Sequence, residues 1–136
     1  MFVGLARVFT STAEALPHQD VLRWDAPLEC TSAQSLLTQL AANIYVQPSE
    51  GGGDLELWSS SLDRDEYERL KLPGSYGLDR AKLPPSAVRV KPEAGDLILF
   101  NANKTHAVRP VTSGIRVTVS CFIGVRSLTL PLSMWS

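Results

Sequence analysis

A chain of 136 residues has the size of one domain and is long enough to bury a core without covalent staples. A hydrophobic share of 44% and a charged share of 20% are those of ordinary globular chains, which excludes a disordered or fibrous chain. Thirteen Lys and Arg against fourteen Asp and Glu leave a formal net charge of -1, and no basic run is present to track a phosphate backbone, so nucleic acid is not an expected partner.

The opening run MFVGLARVF is apolar but lacks a basic leader and is interrupted by Arg7, so it reads as a strand rather than a signal peptide. No stretch is long enough to cross a membrane. Cys30 and Cys121 are too few to form a framework and read as reduced thiols of a cytoplasmic protein. LPHQDVLRWDAP, residues 16 to 27, is a loop that carries one of the two histidines, His18, two places before Asp20. In an extended segment, side chains at i and i+2 leave on the same side and can reach one cation together. Taken alone, the triplet reads more readily as a turn in which Asp20 caps the next segment.

QLAANIYVQ alternates with period two: Leu40, Ala42, Ile44 and Val46 form one face, expected to pack, and Gln39, Asn43 and Tyr45 form the other, expected to meet something polar. PSEGGGD, residues 48 to 54, has three glycines that suit a hairpin between strands. A phosphate loop would need a helix next, and DLELW comes instead. LDRDEYERLKL, with acidic residues early and basic residues late, is the one expected helix, a solvent-covered insert. PGSYGLDRAKLPPS is a connection of the length often used for lids or binding segments. KPEAGDLILFN reads as a turn at residues 93 to 95 and a buried strand, after which His106 starts another strand. VTSG then turns the chain into IRVTVSCFIGV, where Arg116, Thr118 and Ser120 share one face and Ile115, Val117, Val119 and Cys121 the other.

Two imidazoles and one carboxylate on a face of an octahedron suit non-haem Fe(II) and oxygen chemistry, and His18, Asp20 and His106 supply that set once. Singly, His106 also reads as a strand-end residue bonded to a carbonyl, and Arg116 as a surface arginine on an edge strand. If the turn at 111 to 114 closes a hairpin, Arg116 lies roughly 10 Å along from His106, a gap that fits a five-carbon dicarboxylate.

From about His18 to Gly124, through HQD, NIYVQPSEGGGDLELW, VKPEAGDLILFNANKTHAV and GIRVTVSCFIG, the chain resembles the catalytic jelly-roll of the Fe(II)- and 2-oxoglutarate-dependent oxygenases, on their prolyl-4-hydroxylase-like side. The resemblance implies a mainly β, double-stranded β-helix with one short helix insert, a single domain over residues 1–136. It implies His18, Asp20 and His106 as Fe(II) ligands and Arg116 as the partner of the distal carboxylate of 2-oxoglutarate. Thr118, Ser120, Asn43 and Tyr45 would add hydrogen bonds to the co-substrate, their other reading being packing and strand pairing. The implied reaction couples conversion of 2-oxoglutarate and O2 to succinate and CO2 with hydroxylation of an unactivated C–H bond in a small molecule or an amino-acid residue. Related halogenases replace the carboxylate ligand by a small residue, so Asp20 implies hydroxylation. Arg23, Trp24 and Asp25 come soon after the ligand pair and read either as substrate contacts or as loop packing. Family members usually carry a longer N-terminal region, so the expectation is a truncated form or one that covers its sheet by forming a homo-oligomer. The alternative function is a noncatalytic binding module that keeps the metal motif.

Overall fold

The structure, a computed structural model, describes residues 3–136, so Met1 and Phe2 of the apolar opening run lie outside the described residues. In chain order the elements are β1 (Leu5–Phe9), β2 (Ala15–His18), α1 (Leu22–Asp25), α2 (Thr31–Gln34), β3 (Thr38–Gln47), β4 (Gly51–Gly52), β5 (Leu55–Leu57) and α3 (Arg64–Leu70). They continue with β6 (Val88–Val90), β7 (Leu97–Asn101), β8 (His106–Val108), β9 (Val111–Ser113), β10 (Arg116–Val125) and β11 (Ser133–Trp135). The fold class is the expected one, an antiparallel β jelly-roll with few helices. Two four-residue helices, α1 and α2, accompany the expected α3; they are too short to leave a periodic signal.

One sheet has the order β1-β10-β3-β7, with β11 also on β10; a second has the order β2-β8-β5-β6; β4 and β9 form a short ribbon. A small core of Ala41, Leu55, Phe100 and Ala102, backed by Leu57, Ile98 and Phe122, joins residues of both larger sheets. The register across the first sheet sets Arg7 opposite Thr118, Thr118 opposite Tyr45 and Ser120 opposite Asn43, so these side chains share a face. That face is the inner one: Gln39, Ala41 and Tyr45 are buried.

This reverses the packing expectation for β3, while its other face does meet a polar cavity, which Asn43 lines. Its apolar face points outward, with Ile44 46% and Val46 57% exposed, and the polar alternation faces the core and the cavity within it. Ile44 stands opposite Val119 on one side and Leu97 on the other, and Ala42 stands opposite Leu99, so the outer face is continuous across three strands. Period-two alternation separates two faces but cannot say which lies inside.

The triple glycine is not a hairpin. It carries the chain from the first sheet to the second, pairing on the way with β9 through Gly51–Ser113 and Gly52–Val111. The backbone of Gly52 is left-handed at φ +68, and an added Cβ would lie 2.0 Å from the Pro110 carbonyl oxygen, so only glycine fits. Nor is the long connection after α3 a free lid. Leu78 is fully buried and its N–H donates to the Pro17 carbonyl at 2.7 Å, while Trp58 donates to the Pro84 carbonyl at 2.7 Å. Arg80 bonds Glu56, a buried carboxylate that also faces Arg109 at 3.6 Å.

Candidate active site

His18 ends β2 and His106 begins β8, and the two face each other as a paired position of that antiparallel ladder. Their rings lie 4.3 Å apart between centroids. Asp20 comes next in the loop, where its N–H donates to the Ala102 carbonyl at 2.9 Å. Its Oδ2 is 3.3 Å from Nε2 of His106 and 3.7 Å from Nε2 of His18. One potential ligand atom from each of the three residues lies within 4.8 Å of the others.

The two Nδ1 atoms are already committed, at 2.7 Å to the Leu16 carbonyl for His18 and 2.9 Å to the Lys104 carbonyl for His106. A carbonyl accepts, so each Nδ1 carries the proton and each Nε2 is left with a lone pair directed at the shared space. This is the outer arrangement that orients metal-binding imidazoles. His106 is therefore both bonded to a carbonyl and turned toward a common centre, and its two sequence readings were not exclusive. Burial by itself lowers the His18 pKa, but the hydrogen bond and charge of Asp20 outweigh burial and raise it. Burial by itself would raise Asp20, yet the two imidazoles hold its carboxyl far below the usual carboxylate range.

Gln19, the middle residue of the triplet, is buried and points away from this centre. Its side-chain oxygen accepts from the Leu62 N–H at 2.6 Å and from the Thr105 hydroxyl at 3.2 Å, and its amide donates to the Leu62 carbonyl at 3.2 Å. It thus ties the His18 segment to the residue before His106 and to the approach to α3. Sequence reading passed over it because an amide between two ligand types carries no chemistry of its own.

Arg116 starts β10 at 3% exposure, which removes the surface-arginine reading. It is not a hairpin neighbour of His106: β8 and β10 belong to different sheets, and β9 between them pairs with β4. The two residues meet instead across a cavity of about 140 Å³. His18, Asp20 and His106 line this cavity together with Arg116, Thr118, Ser120 and Asn43. Leu55, Phe100, Val108 and Phe122 add apolar wall.

The Arg116 guanidinium is sandwiched between the rings of Phe9 and Tyr45, each centred 5.0 Å away, and Nη2 donates to the Tyr45 hydroxyl at 3.4 Å. Its Nε is buried without a partner, and no carboxylate side chain among the described residues forms an ion pair with it. Gly53, left-handed at φ +72, packs behind it, where an added Cβ would come 3.4 Å from Arg116 Cδ. Tyr45 therefore lies behind the arginine and holds it, rather than lining the main cavity with Asn43. Arg7, which sequence reading treated only as an interruption, also lines the cavity and bonds the Ser120 hydroxyl.

Burying a cation costs several kcal/mol, on the order of the effective desolvation penalty for one ion, and no carboxylate side chain is paired with Arg116 to offset it. The site therefore favours an acid whose carboxylate reaches Arg116 and whose other end reaches the three-residue centre, and that centre offers two imidazole Nε2 atoms and a carboxylate to a divalent cation.

A family model described as the 2OG-Fe(II) oxygenase superfamily matches residues 3–124. The chain is 33% identical to the L-gamma-glutamyl-L-propargylglycine hydroxylase of Streptantibioticus cattleyicolor over 94 residues, 68% of this chain and 34% of that protein. It is 30% identical to the L-isoleucine 3(1)-dioxygenase of Pantoea ananatis over 118 residues, 80% of this chain and 38% of that protein. Among solved structures, an N-substituted L-amino acid dioxygenase from Burkholderia ambifaria AMMD in complex with alpha-KG superposes with a TM-score of 0.69 at 21% identity. That superposition covers 98% of this chain and 52% of the other, and it establishes the likeness of fold. The chain thus spans between a third and about half of the length of these relatives.

Proposed function

Because the chain belongs to the 2OG-Fe(II) oxygenase superfamily, we propose that it is the catalytic jelly-roll domain, residues 1–136, of a 2-oxoglutarate-dependent dioxygenase. The reaction is hydroxylation of an unactivated C–H bond of a small molecule or amino acid, with release of succinate and CO2. The observation that carries this reading is the buried guanidinium of Arg116, given no side-chain carboxylate as a partner, lining the same cavity as the convergent His18, Asp20 and His106 set.

Fe(II), held by His18, Asp20 and His106, supplies when bound the oxidative decarboxylation of 2-oxoglutarate and the hydroxylating chemistry. The protein's own contribution is position and exclusion. Leu16 and Lys104 carbonyls hold the imidazole tautomers, and Phe9 and Tyr45 hold the guanidinium that receives the distal carboxylate in a forked, charge-assisted contact. Thr118, Ser120 and Asn43 supply polar contacts along the bound acid, and the apolar wall keeps bulk water from competing with them. Asp20 would give the metal a carboxylate where related halogenases have a small residue, which supports hydroxylation as the reaction. The two amino-acid-related names among the relatives support an amino-acid or small peptide substrate. Both cysteines are free thiols, which supports a cytoplasmic setting, and among the described residues no helix is long and apolar enough to cross a membrane.

Anaerobic titration with Fe(II) and 2-oxoglutarate tests the site without knowledge of the substrate: a visible charge-transfer band is expected, and its absence ends the reading. Succinate formation on adding oxygen then separates the enzyme from the second reading, a noncatalytic module. The second reading draws its support from the exposed apolar outer face of the first sheet, a surface suited to association. That face also supports a cover supplied by a second copy or by further chain, which equilibrium sedimentation distinguishes.

A further inference from the structure

Two guanidiniums line the cavity shared by His18, Asp20 and His106, those of Arg116 and Arg7. The proposed function uses the first and leaves the second without a role. The strand register sets them apart along one row. Arg116 starts β10 with Phe9 opposite it, whereas Arg7 stands opposite Thr118 and donates to the Ser120 hydroxyl, four residues from Arg116, about 13 Å of extended strand. The Arg116 end is closed, at 3% exposure, and the Arg7 end is open, since Arg7 is an exposed residue.

The opening has a cause in the topology. β3 occupies one edge of β10, and β1 and β11 share the other in series: β1 pairs as far as Leu5–Ser120, and β11 begins at Trp135–Phe122. Cys121 falls at the junction, and it lines the cavity together with Phe122 and Ser136. An acid that enters first and reaches Arg116 leaves this mouth for a second molecule.

We infer that Arg7 receives the carboxylate of the substrate, and that the substrate is a monoanionic acid with an apolar chain and an uncharged nitrogen, the form of an N-acylated amino acid; the inference rests on the dioxygenase reading above.

Charge decides between an acid and a zwitterion. Among the described residues, Asp20 is the only carboxylate side chain that lines the cavity, and it is turned to the two imidazoles. With a divalent ion and dianionic 2-oxoglutarate bound, the two guanidiniums and Asp20 leave the cavity with one positive charge in excess. A monoanion cancels that charge. A zwitterion does not, and its ammonium meets no acidic side chain except one already committed.

Arg7 is held in place for this contact. The Ser120 hydroxyl that accepts from it is buried and donates in turn to the Leu5 carbonyl at 3.5 Å, so the guanidinium is fixed along the inner face of the sheet. Burial and, more weakly, the Arg7 charge both oppose protonation of His18, which places the guanidinium within Coulomb range of the three-residue centre. Apolar wall for the rest of the substrate comes from Phe100, Val108 and Phe122, with Trp135 packed on Phe122 at 5.8 Å between ring centroids. None of Arg23, Trp24 and Asp25 lines this cavity, so the substrate contacts expected of them fall instead to β1 and β10.

Calorimetric titration into protein loaded anaerobically with Mn(II) and 2-oxoglutarate tests the assignment with apolar L-amino acids, their N-acetyl derivatives, and the N-acetyl amino-acid amides, which lack the carboxylate. At least one N-acetyl acid is expected to bind about tenfold or more tightly than both its amide and its free amino acid. Arg7→Gln should erase the preference for acid over amide, and Arg7→Lys should keep part of it. Arg7 is an exposed residue of an edge strand, so both variants should fold and should bind 2-oxoglutarate as the parent does, read from the charge-transfer band with Fe(II). The inference is overturned if no N-acetyl acid binds, if free amino acids bind as tightly, or if Arg7→Gln keeps the preference. It is also overturned if Arg7→Gln weakens 2-oxoglutarate as Arg116→Ala does, which would give Arg7 to the co-substrate. If the parent forms no charge-transfer band while Mn(II)-loaded protein binds N-acetyl acids through Arg7, the dioxygenase reading fails and the carboxylate site stands.

Discussion

At the scale of single residues, the site is an arrangement of charges held apart until ligands join them. Asp20 between two imidazoles gives the metal-free protein a local ion cluster with a definite pH response. The raised pKa of His18 contributes stability that is fully present below its ordinary value of 6.5 and lost as pH rises through the folded value. The lowered pKa of Asp20 contributes stability that is present above its ordinary value of 3.8 and lost as pH falls toward the folded value. The melting temperature of metal-free protein is therefore expected to fall as pH rises above the ordinary histidine value of 6.5, and Asp20→Asn should flatten that slope. With Mn(II), a redox-stable stand-in, the slope should reverse, because the metal requires deprotonated imidazoles.

Removing a ligand and removing the arginine should have separable effects. His106→Ala and Asp20→Ala are expected to abolish the band formed with Fe(II) and 2-oxoglutarate. Arg116→Ala should retain Mn(II) binding and weaken 2-oxoglutarate by about 2–5 kcal/mol, the range for truncating one side of a buried charge pair. Normal metal affinity in both ligand variants would remove the assignment of that centre.

At the scale of elements, the positions that matter are those where backbone conformation aims a side chain. Gly52 and Gly74 are both left-handed, at φ +68 and +71, but Gly52 abuts the Pro110 carbonyl and Gly74 has nothing within 4 Å. Gly74→Ala should cost about 1 kcal/mol by backbone strain alone, whereas Gly52→Ala should cost more than about 2 kcal/mol and displace the ribbon next to Arg116. Denaturant midpoints compare the two, and 2-oxoglutarate titration shows whether only the Gly52 variant disturbs the acid site. Gln19→Ala should lower stability and loosen metal binding together, because one amide braces both the His18 segment and Thr105 before His106. A loss of stability with unchanged Mn(II) affinity would show that the brace does not act on the ligands.

At the scale of the molecule, the first sheet presents an apolar outer face that includes Ile44, Val46, Leu97 (58% exposed) and Leu99 (54% exposed). A contiguous face of this kind binds apolar probes and promotes association. The 136-residue chain is expected to enhance the fluorescence of a hydrophobic dye. Replacing Ile44 and Leu99 together by Thr should reduce that signal while leaving the charge-transfer band intact, since both side chains point away from the cavity.

Much of this molecule was legible along the chain. Short alternating runs announced the antiparallel sheets, the acidic-to-basic gradient announced α3, and the rarity of histidine made His18 and His106 easy to single out. Residue type and local order carry those signals because strand alternation, helix electrostatics and ligand chemistry depend on near neighbours. Tertiary structure alone decided which face of β3 is inside, that β8 and β10 lie in opposite sheets and meet across a cavity, and that Arg116 is buried between Phe9 and Tyr45. Each of these depends on which layer covers which, a choice made by contacts between segments far apart in the chain, and no local pattern encodes it.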